Sequence, residues 1–288
     1  MSSVGSTRID LLLQRPTVAI MGIVNTTPDS FSDGGQFLSS SRALDHAFKL
    51  IDEGADIIDV GGESTRPGAE QVTLQVELDR VMPVVEKLRA ESDIVLSVDT
   101  YKPEVMHAAT DIGVDMVNDV NGLRAEGAIP IVADSKAAAC IMHMQGQPKD
   151  MQTNPRYQNV VDDVLAFFES RIALCEQASI VKSRLILDPG IGFGKTLDDN
   201  LALLKALPII RRKTACEVMV GVSRKSLIDK LLGRPVAARL PASLGLAVQA
   251  ALNGAKIIRV HDVQASFDAI RSVEAVRIAQ SACRAVEN

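Results

Sequence analysis

Read for hydrophobic and polar positions, the chain alternates short apolar runs with longer segments of helical periodicity. The runs lie at 18–24, 56–60, 94–98, 115–117, 138–142, 185–187, 217–221 and 256–260. They are largely continuous rather than alternating, the pattern of a strand buried on both faces. Between them apolar residues recur every three or four positions. In 41–53, Ala43, Leu44, Ala47, Phe48 and Ile51 share one face, and Gly54 follows where a C-cap belongs. Helices are expected over 41–53, 74–89, 102–111, 127–134, 160–178, 198–206, 243–253 and 266–285. Pro83 should kink or split the second, and Pro103 opens the third.

Eight strand–helix units with no low-complexity linker predict an α/β fold, one (β/α)8 TIM barrel domain spanning 1–288. Residues 1–16 would be a lead-in that closes its bottom. An open doubly wound sheet is the alternative. The count of eight and the lack of a Rossmann glycine pattern after the first strand weigh against it.

Long polar loops are expected after strands 1, 2 and 5. The first, Asn25-Thr26-Thr27-Pro28-Asp29-Ser30 through Gly34-Gly35, delays its helix to about residue 39. Ordinary connections of this kind take roughly 2 to 6 residues, so a functional mouth is expected there. The strands exit through Asn25, Asp59, Asp99, Asn118, His143, Asp188, Lys225, and Arg259 with His261. In such a barrel those exits converge on one face.

The ring of exits divides chemically. Asp99, Asn118 and Asp188 could hydrogen-bond a flat, nitrogen-rich heterocycle carrying N–H donors. Lys225, Arg259 and His261 leave strands seven and eight, where such barrels commonly bind phosphate. Asn25 offers a neutral oxygen suited to Mg²⁺ shared with phosphate and water. A heterocycle joined to a phosphate group is the ligand this predicts.

Composition narrows the partners. Hydrophobic residues make up 47% and aromatics only 3%, with no Trp, so the core is aliphatic. The net charge of −5 argues against nucleic-acid and membrane-surface roles and leaves anion binding to local cations. Cys140, Cys175, Cys216 and Cys283 form no CxxC and read as reduced packing residues. With no signal-like N-terminus and no long apolar stretch, a cytoplasmic location is expected. Gly190 to Thr196, GIGFGKT, misses the phosphate-loop spacing by one residue and reads as a tight strand-to-helix turn. The histidines show no metal spacing.

Eight segments resemble the dihydropteroate synthase family of pterin-binding barrels. They are MGIVNTTPDSFSDGG (21–35), DIIDVGGESTRPGAE (56–70), SVDTYKPEV (97–105), NDV (118–120), HMQGQPKDMQ (143–152), LDPGIGFGKT (187–196), VGVSRKS (220–226) and IIRVHD (257–262). The resemblance implies condensation of 6-hydroxymethyl-7,8-dihydropterin pyrophosphate with p-aminobenzoate, releasing pyrophosphate, in a homodimer that sulfonamides inhibit. It implies that Asp99, Asn118, Met142, Asp188 and Lys225 hold the pterin. Asn25 (through Mg²⁺), Thr65, Arg66, Arg259 and His261 would meet the pyrophosphate. Thr65, Arg66, Pro67, Phe193, Ser223 and Lys225 would meet p-aminobenzoate, under mobile loops from strands one and two. Asp99, Asp188, Lys225, Arg259 and His261 would carry catalysis. Tyr101 and the segment 240–243 depart from the family pattern without touching the ring. A methyltetrahydrofolate-dependent methyltransferase of the same superfamily shares the pterin residues but does not need the TTPDSF loop or the anion sites. A non-catalytic pterin-binding paralogue would have lost some of them.

Overall fold

Eight parallel strands close on themselves in sequence order, β1 pairing with both β2 and β8. They are β1 Ala19–Asn25, β2 Ile57–Gly61, β3 Val95–Asp99, β4 Met116–Asp119, β5 Ala138–Met142, β6 Leu185–Asp188, β7 Glu217–Gly221 and β8 Ile257–Val260. The helices are α1 Arg8–Gln14, α2 Gln36–Asp52, α3 Leu74–Glu91, α4 Pro103–Ile112, α5 Ala128–Asp134, α6 Val160–Gln177, α7 Leu197–Thr214, α8 Ser226–Leu232, α9 Leu240–Leu252 and α10 Val263–Arg284. This computed structural model describes residues 7–27, 36–65, 68–146, 151–153 and 155–284. The predicted (β/α)8 TIM barrel is the architecture found.

Side chains alternate across each strand, and the two sets make two cores. Inward residues form one cluster with a contribution from every strand, including Met21, Ile57, Val95, Met116, Cys140, Ile186, Met219 and Ile257. Ile9 and Leu12 of α1 belong to the same cluster, so the lead-in plugs the barrel from below. Its helix is started by a capping box in which the Thr7 hydroxyl and Asp10 carboxylate serve each other's backbone N–H. Outward residues such as Ile20, Ile58, Leu96, Val117 and Ile258 join the helices in the larger core. The apolar floor made by the inner cluster is what lifts every polar inward residue to the opposite end.

Three expectations change. The helix after β6 runs to Thr214 instead of stopping at Ala206. Pro208 lies inside it, but Leu203, Leu207 and Ile210 continue one buried face, and their burial outweighs a proline cost of about 3 kcal/mol. Pro83 does not split α3, which is a single 18-residue helix. A short helix, α8, follows Lys225 and had no visible periodicity. Cys140, Cys175 and Cys216 are buried free thiols, as expected. Among the described residues no helix is long and apolar enough to cross a membrane.

Candidate functional site

Directly above the apolar floor sits a buried polar hub. Asp59, fully buried, accepts from Ser97 Oγ at 2.6 Å, Asn118 Nδ2 at 2.9 Å and Arg259 Nε at 2.7 Å. A second guanidinium nitrogen of Arg259, Nη2, donates to Asp99 Oδ2 at 2.7 Å. One arginine thus bridges two carboxylates from neighbouring strands, with four strands tied at one level.

A cavity opens over this hub. Asp99, Asn118, Met142 and Asp188, at the ends of β3 to β6, line one side. Ser223 and Lys225 beyond β7, with Arg259 and His261 from β8, line the other. Thr65 and Phe193, from the loops after β2 and β6, also line it. Asp188 Oδ1 accepts from Gly190 N–H at 2.7 Å, which fixes its carboxylate. Lys225 Nζ donates to the Ile191 carbonyl and stands 4.8 Å from the Phe193 ring centroid. Ser223 Oγ lies 3.0 Å from His261 Nδ1 and accepts from the His261 backbone N–H at 3.3 Å. Asp99 Oδ1 is buried and finds no donor among the described residues. Asn25 ends β1 in register with Gly61, outside the cavity lining.

The site differs from the sequence picture in three ways. The acidic and basic sides of the ring are not held apart, because Arg259 reaches inward to Asp59 and Asp99. His143 leaves the ring altogether. Its Nδ1 lies 3.1 Å from Lys195 Nζ and its ring stands edge-on to Phe167, with centroids 5.0 Å apart. Arg224, in the VGVSRKS segment, turns away to Asp262, with Nε 2.9 Å from Oδ2. Arg66, Pro67 and residues 28–35 of the first loop lie outside the described residues.

The pterin binding enzyme family matches residues 21–261. The chain is 49% identical over 256 residues to the dihydropteroate synthase of Escherichia coli strain K12, covering 89% of this chain and 90% of that protein. The chain belongs to the pterin-binding enzyme family. A dihydropteroate synthase of Yersinia pestis solved as a sulfonamide drug complex superimposes with a TM-score of 0.86 at 47% identity, over 92% of this chain and 95% of the other. That of Xanthomonas albilineans, solved with 4-aminobenzoic acid, gives a TM-score of 0.86 at 47% identity over 92% and 94%.

In this pterin-binding enzyme the cavity's electrostatics follow from burial. Burial, with Asp59 alongside, lifts the Asp99 carboxyl to about 7 against the pull of Arg259. Burial also raises Asp188, opposed by Lys225. The same desolvation lowers the Lys225 ammonium to about 8, with Asp188 resisting.

Sequence reasoning gave Asp59 no role beyond ring membership and missed the support beneath the second loop. Glu63, in the GGEST stretch, accepts from Lys102 Nζ and from Tyr101 OH at 2.6 Å. Glu77 of α3 also accepts from Lys102 Nζ, and from Thr100 Oγ1 at 2.6 Å. This network fastens the loop bearing Thr65 to the start of α4. Tyr101 takes part in it. The signal was present as an acid in a loop otherwise made of turn formers, but only the fold brings Lys102 to it.

The GIGFGKT turn is built from backbone contact. A Cβ on Gly190 would fall 1.9 Å from the His143 carbonyl oxygen, and its φ is +69°. Gly190→Ala is therefore expected to lose about 2–5 kcal/mol of stability, from backbone strain plus displacement of the β5 exit. A lower denaturant midpoint at unchanged m-value would record this.

Proposed function

We propose that this chain condenses 6-hydroxymethyl-7,8-dihydropterin pyrophosphate with p-aminobenzoate to give 7,8-dihydropteroate and pyrophosphate. The observation that carries the reading is a single cavity lined by Asp99, whose buried Oδ1 has no donor among the described residues, together with Asp188, Lys225 and His261. An orphaned buried acceptor calls for a ligand N–H, and the cations call for a ligand anion. Asp99, Asn118 and Asp188 take the pterin's donors, with Met142 and Lys225 against its ring. His261, Thr65 and Arg66 flank the pyrophosphate, and Arg259 adds charge from beneath while tied to Asp59 and Asp99. Thr65, Arg66, Pro67, Phe193, Ser223 and Lys225 form the p-aminobenzoate end.

The reaction needs no protein nucleophile. The methylene C–O bond breaks, its electron pair leaves on pyrophosphate, and the arylamine lone pair then forms the C–N bond and gives up a proton. Positive charge develops on the pterin as the leaving group departs, and the Asp99 and Asp188 carboxylates stabilise it there. Among the described residues no group of three or more His, Cys, Asp and Glu could cage a metal. Mg²⁺ would be held by the substrate diphosphate and water, with the neutral oxygen of Asn25 at the end of β1 as its protein ligand. When bound, such an ion neutralises charge on the departing pyrophosphate.

The test is pyrophosphate release from the pterin substrate with p-aminobenzoate and Mg²⁺ added or withheld. Release that requires the arylamine supports the reading. Binding without release makes the chain a pterin-binding protein, and arylamine-independent release makes it a hydrolase. Because the Lys225 ammonium is held to about 8, kcat/KM is expected to fall roughly tenfold per pH unit above that value as the proton is lost. A profile flat to pH 10 removes Lys225 from the charged machinery.

A further inference from the structure

We propose that Lys195 is a positioning residue, a buried ammonium placed behind the cavity that keeps Asp188 in its carboxylate form while clamping the turn that carries Phe193. The claim deepens the role assigned above to Asp188 and rests on that reading. Lys195 is only 1% exposed and does not line the cavity. Its Nζ meets the Phe193 carbonyl at 2.9 Å, the His143 carbonyl at 3.2 Å and His143 Nδ1 at 3.1 Å. An ammonium has three donors and no acceptor, so the imidazole must accept, with its proton on Nε2. Burial and the adjacent Lys195 charge hold His143 neutral, with its pKa lowered to about 3.

All three acceptors are therefore neutral, and a fully buried cation with no carboxylate in contact is costly unless a charge nearby compensates it. Burial lowers the Lys195 ammonium to about 7, with Asp188 the foremost charge resisting, Lys225 adding to the fall and Asp199 a lesser support. The groups around Asp188 are Lys225 beyond β7, Lys195 from its own turn, Arg259 from β8, the Cys140 thiol of β5 and, in the shared cavity, Asp99 of β3 and His261. Two lysines thus flank this carboxylate. Lys225 belongs to the cavity, so a ligand can rearrange it. Lys195 is beyond a ligand's reach, so while it is protonated its field acts on Asp188 whatever the cavity holds.

The slot that holds Lys195 is built for it. A Cβ on Gly190 would come 3.3 Å from Lys195 Nζ, and one on Gly194 would fall 2.4 Å from the Gln145 carbonyl oxygen. Tyr157 OH and Gln152 Nε2 donate to the Gly194 and Gly192 carbonyls at 2.7 Å and 2.6 Å. The residues after β5 are thereby sewn onto the β6 turn around the ammonium.

The test compares Lys195→Met and Lys195→Arg with the unaltered chain in pH profiles of kcat/KM for the pterin substrate. With Met, the acid limb is expected to move up by about one pH unit, because Asp188 loses a stabilising charge. With Arg it should stay within a few tenths of its original place, and KM for p-aminobenzoate should stay within about threefold in both. A lower rate with the acid limb unmoved would mean that Lys195 is merely structural and would overturn the proposal. If Lys195→Met does not fold, the Lys195 Nζ titration, followed by ¹⁵N-lysine NMR and assigned with Lys195→Arg, decides the matter. Coupling between two groups is reciprocal, so Asp188→Asn should lower the Lys195 titration midpoint, and an unchanged midpoint overturns the claim. That measurement needs no substrate, so it stands even if the chain proves not to release pyrophosphate.

Discussion

Arg259→Met is expected to lower folding stability by about 3–5 kcal/mol and to abolish turnover. The guanidinium is the shared counter-charge of Asp59 and Asp99, whose side chains are 0% and 9% exposed. Removing it leaves two buried carboxylates without their shared counter-charge. Ser97 and Asn118 still donate to Asp59, but they carry no charge. Asp99 would lose its Arg259 partner while its other oxygen already lacks a donor. The pH dependence has a definite sign. A buried carboxyl whose pKa is raised, as Asp99's is even beside Arg259, stabilises the folded state below its unfolded pKa and loses that contribution as pH rises through the folded value. The deficit of Arg259→Met should therefore be largest near pH 8 and shrink as pH falls toward 5. Adding Asp59→Asn to the variant should restore part of the stability and none of the turnover. Equal denaturant midpoints for Arg259→Met and the unaltered chain at pH 8 would show that the bridge is energetically idle.

The bridge also marks how far the sequence could be read. Strand count, strand order and the polar exits were legible because each strand is a short apolar run ending in a side-chain oxygen or a cation, and a closed barrel sends such exits to one rim. Asp99, Asn118 and Asp188 were legible for the same reason, whereas Met142 entered only through the family resemblance. Their register partners, Asp99 with Asn118 and Met142 with Asp188, place them on neighbouring strands at one height. Asp59 was misread as a rim residue because it lies two positions before the end of β2. Strand parity points it inward, and the inner apolar cluster below leaves it only the hub to occupy. Arg259 was read only as an anion ligand, because the two acids its donors also serve stand on strands distant from its own. Periodicity locates a Cα, and a long side chain can serve either the anion site above or the acids across the barrel.

His143 failed for a related reason. It follows the last residue of β5, so chain order alone put it at the rim, whereas its carbonyl and ring are both taken by Lys195. A lysine in a glycine-rich turn reads as a phosphate ligand or a solvated residue. Nothing local says that two strand exits will close over it. Helix α7 shows the converse error, a local rule given too much weight. The expected helix ended at Ala206, two residues before Pro208, yet the apolar face of Leu203, Leu207 and Ile210 runs through that proline.

Asp188→Asn is expected to keep the fold and lose about 10²–10³ of kcat. The substitution is isosteric. The Asn side-chain oxygen can still accept the Gly190 N–H that fixes Asp188 at 2.7 Å, so the turn should hold. Burial already opposes ionisation at this position, so removing the charge relieves a desolvation cost and the thermal midpoint should match or exceed that of the unaltered chain. What disappears is the negative charge facing the pterin as pyrophosphate leaves, an interaction that is stronger in the transition state than in the ground state. The loss should therefore appear in kcat, with pterin affinity changed by less than about tenfold. Lys225 supplies an internal control. Its ammonium is supported chiefly by Asp188 against burial, so the alkaline limb of the residual activity should move to lower pH than the original value of about 8. A kcat within threefold of the unaltered chain, with the alkaline limb in place, would show that Asp188 binds the heterocycle without stabilising its charge. The barrier would then be lowered from the cationic side of the cavity alone.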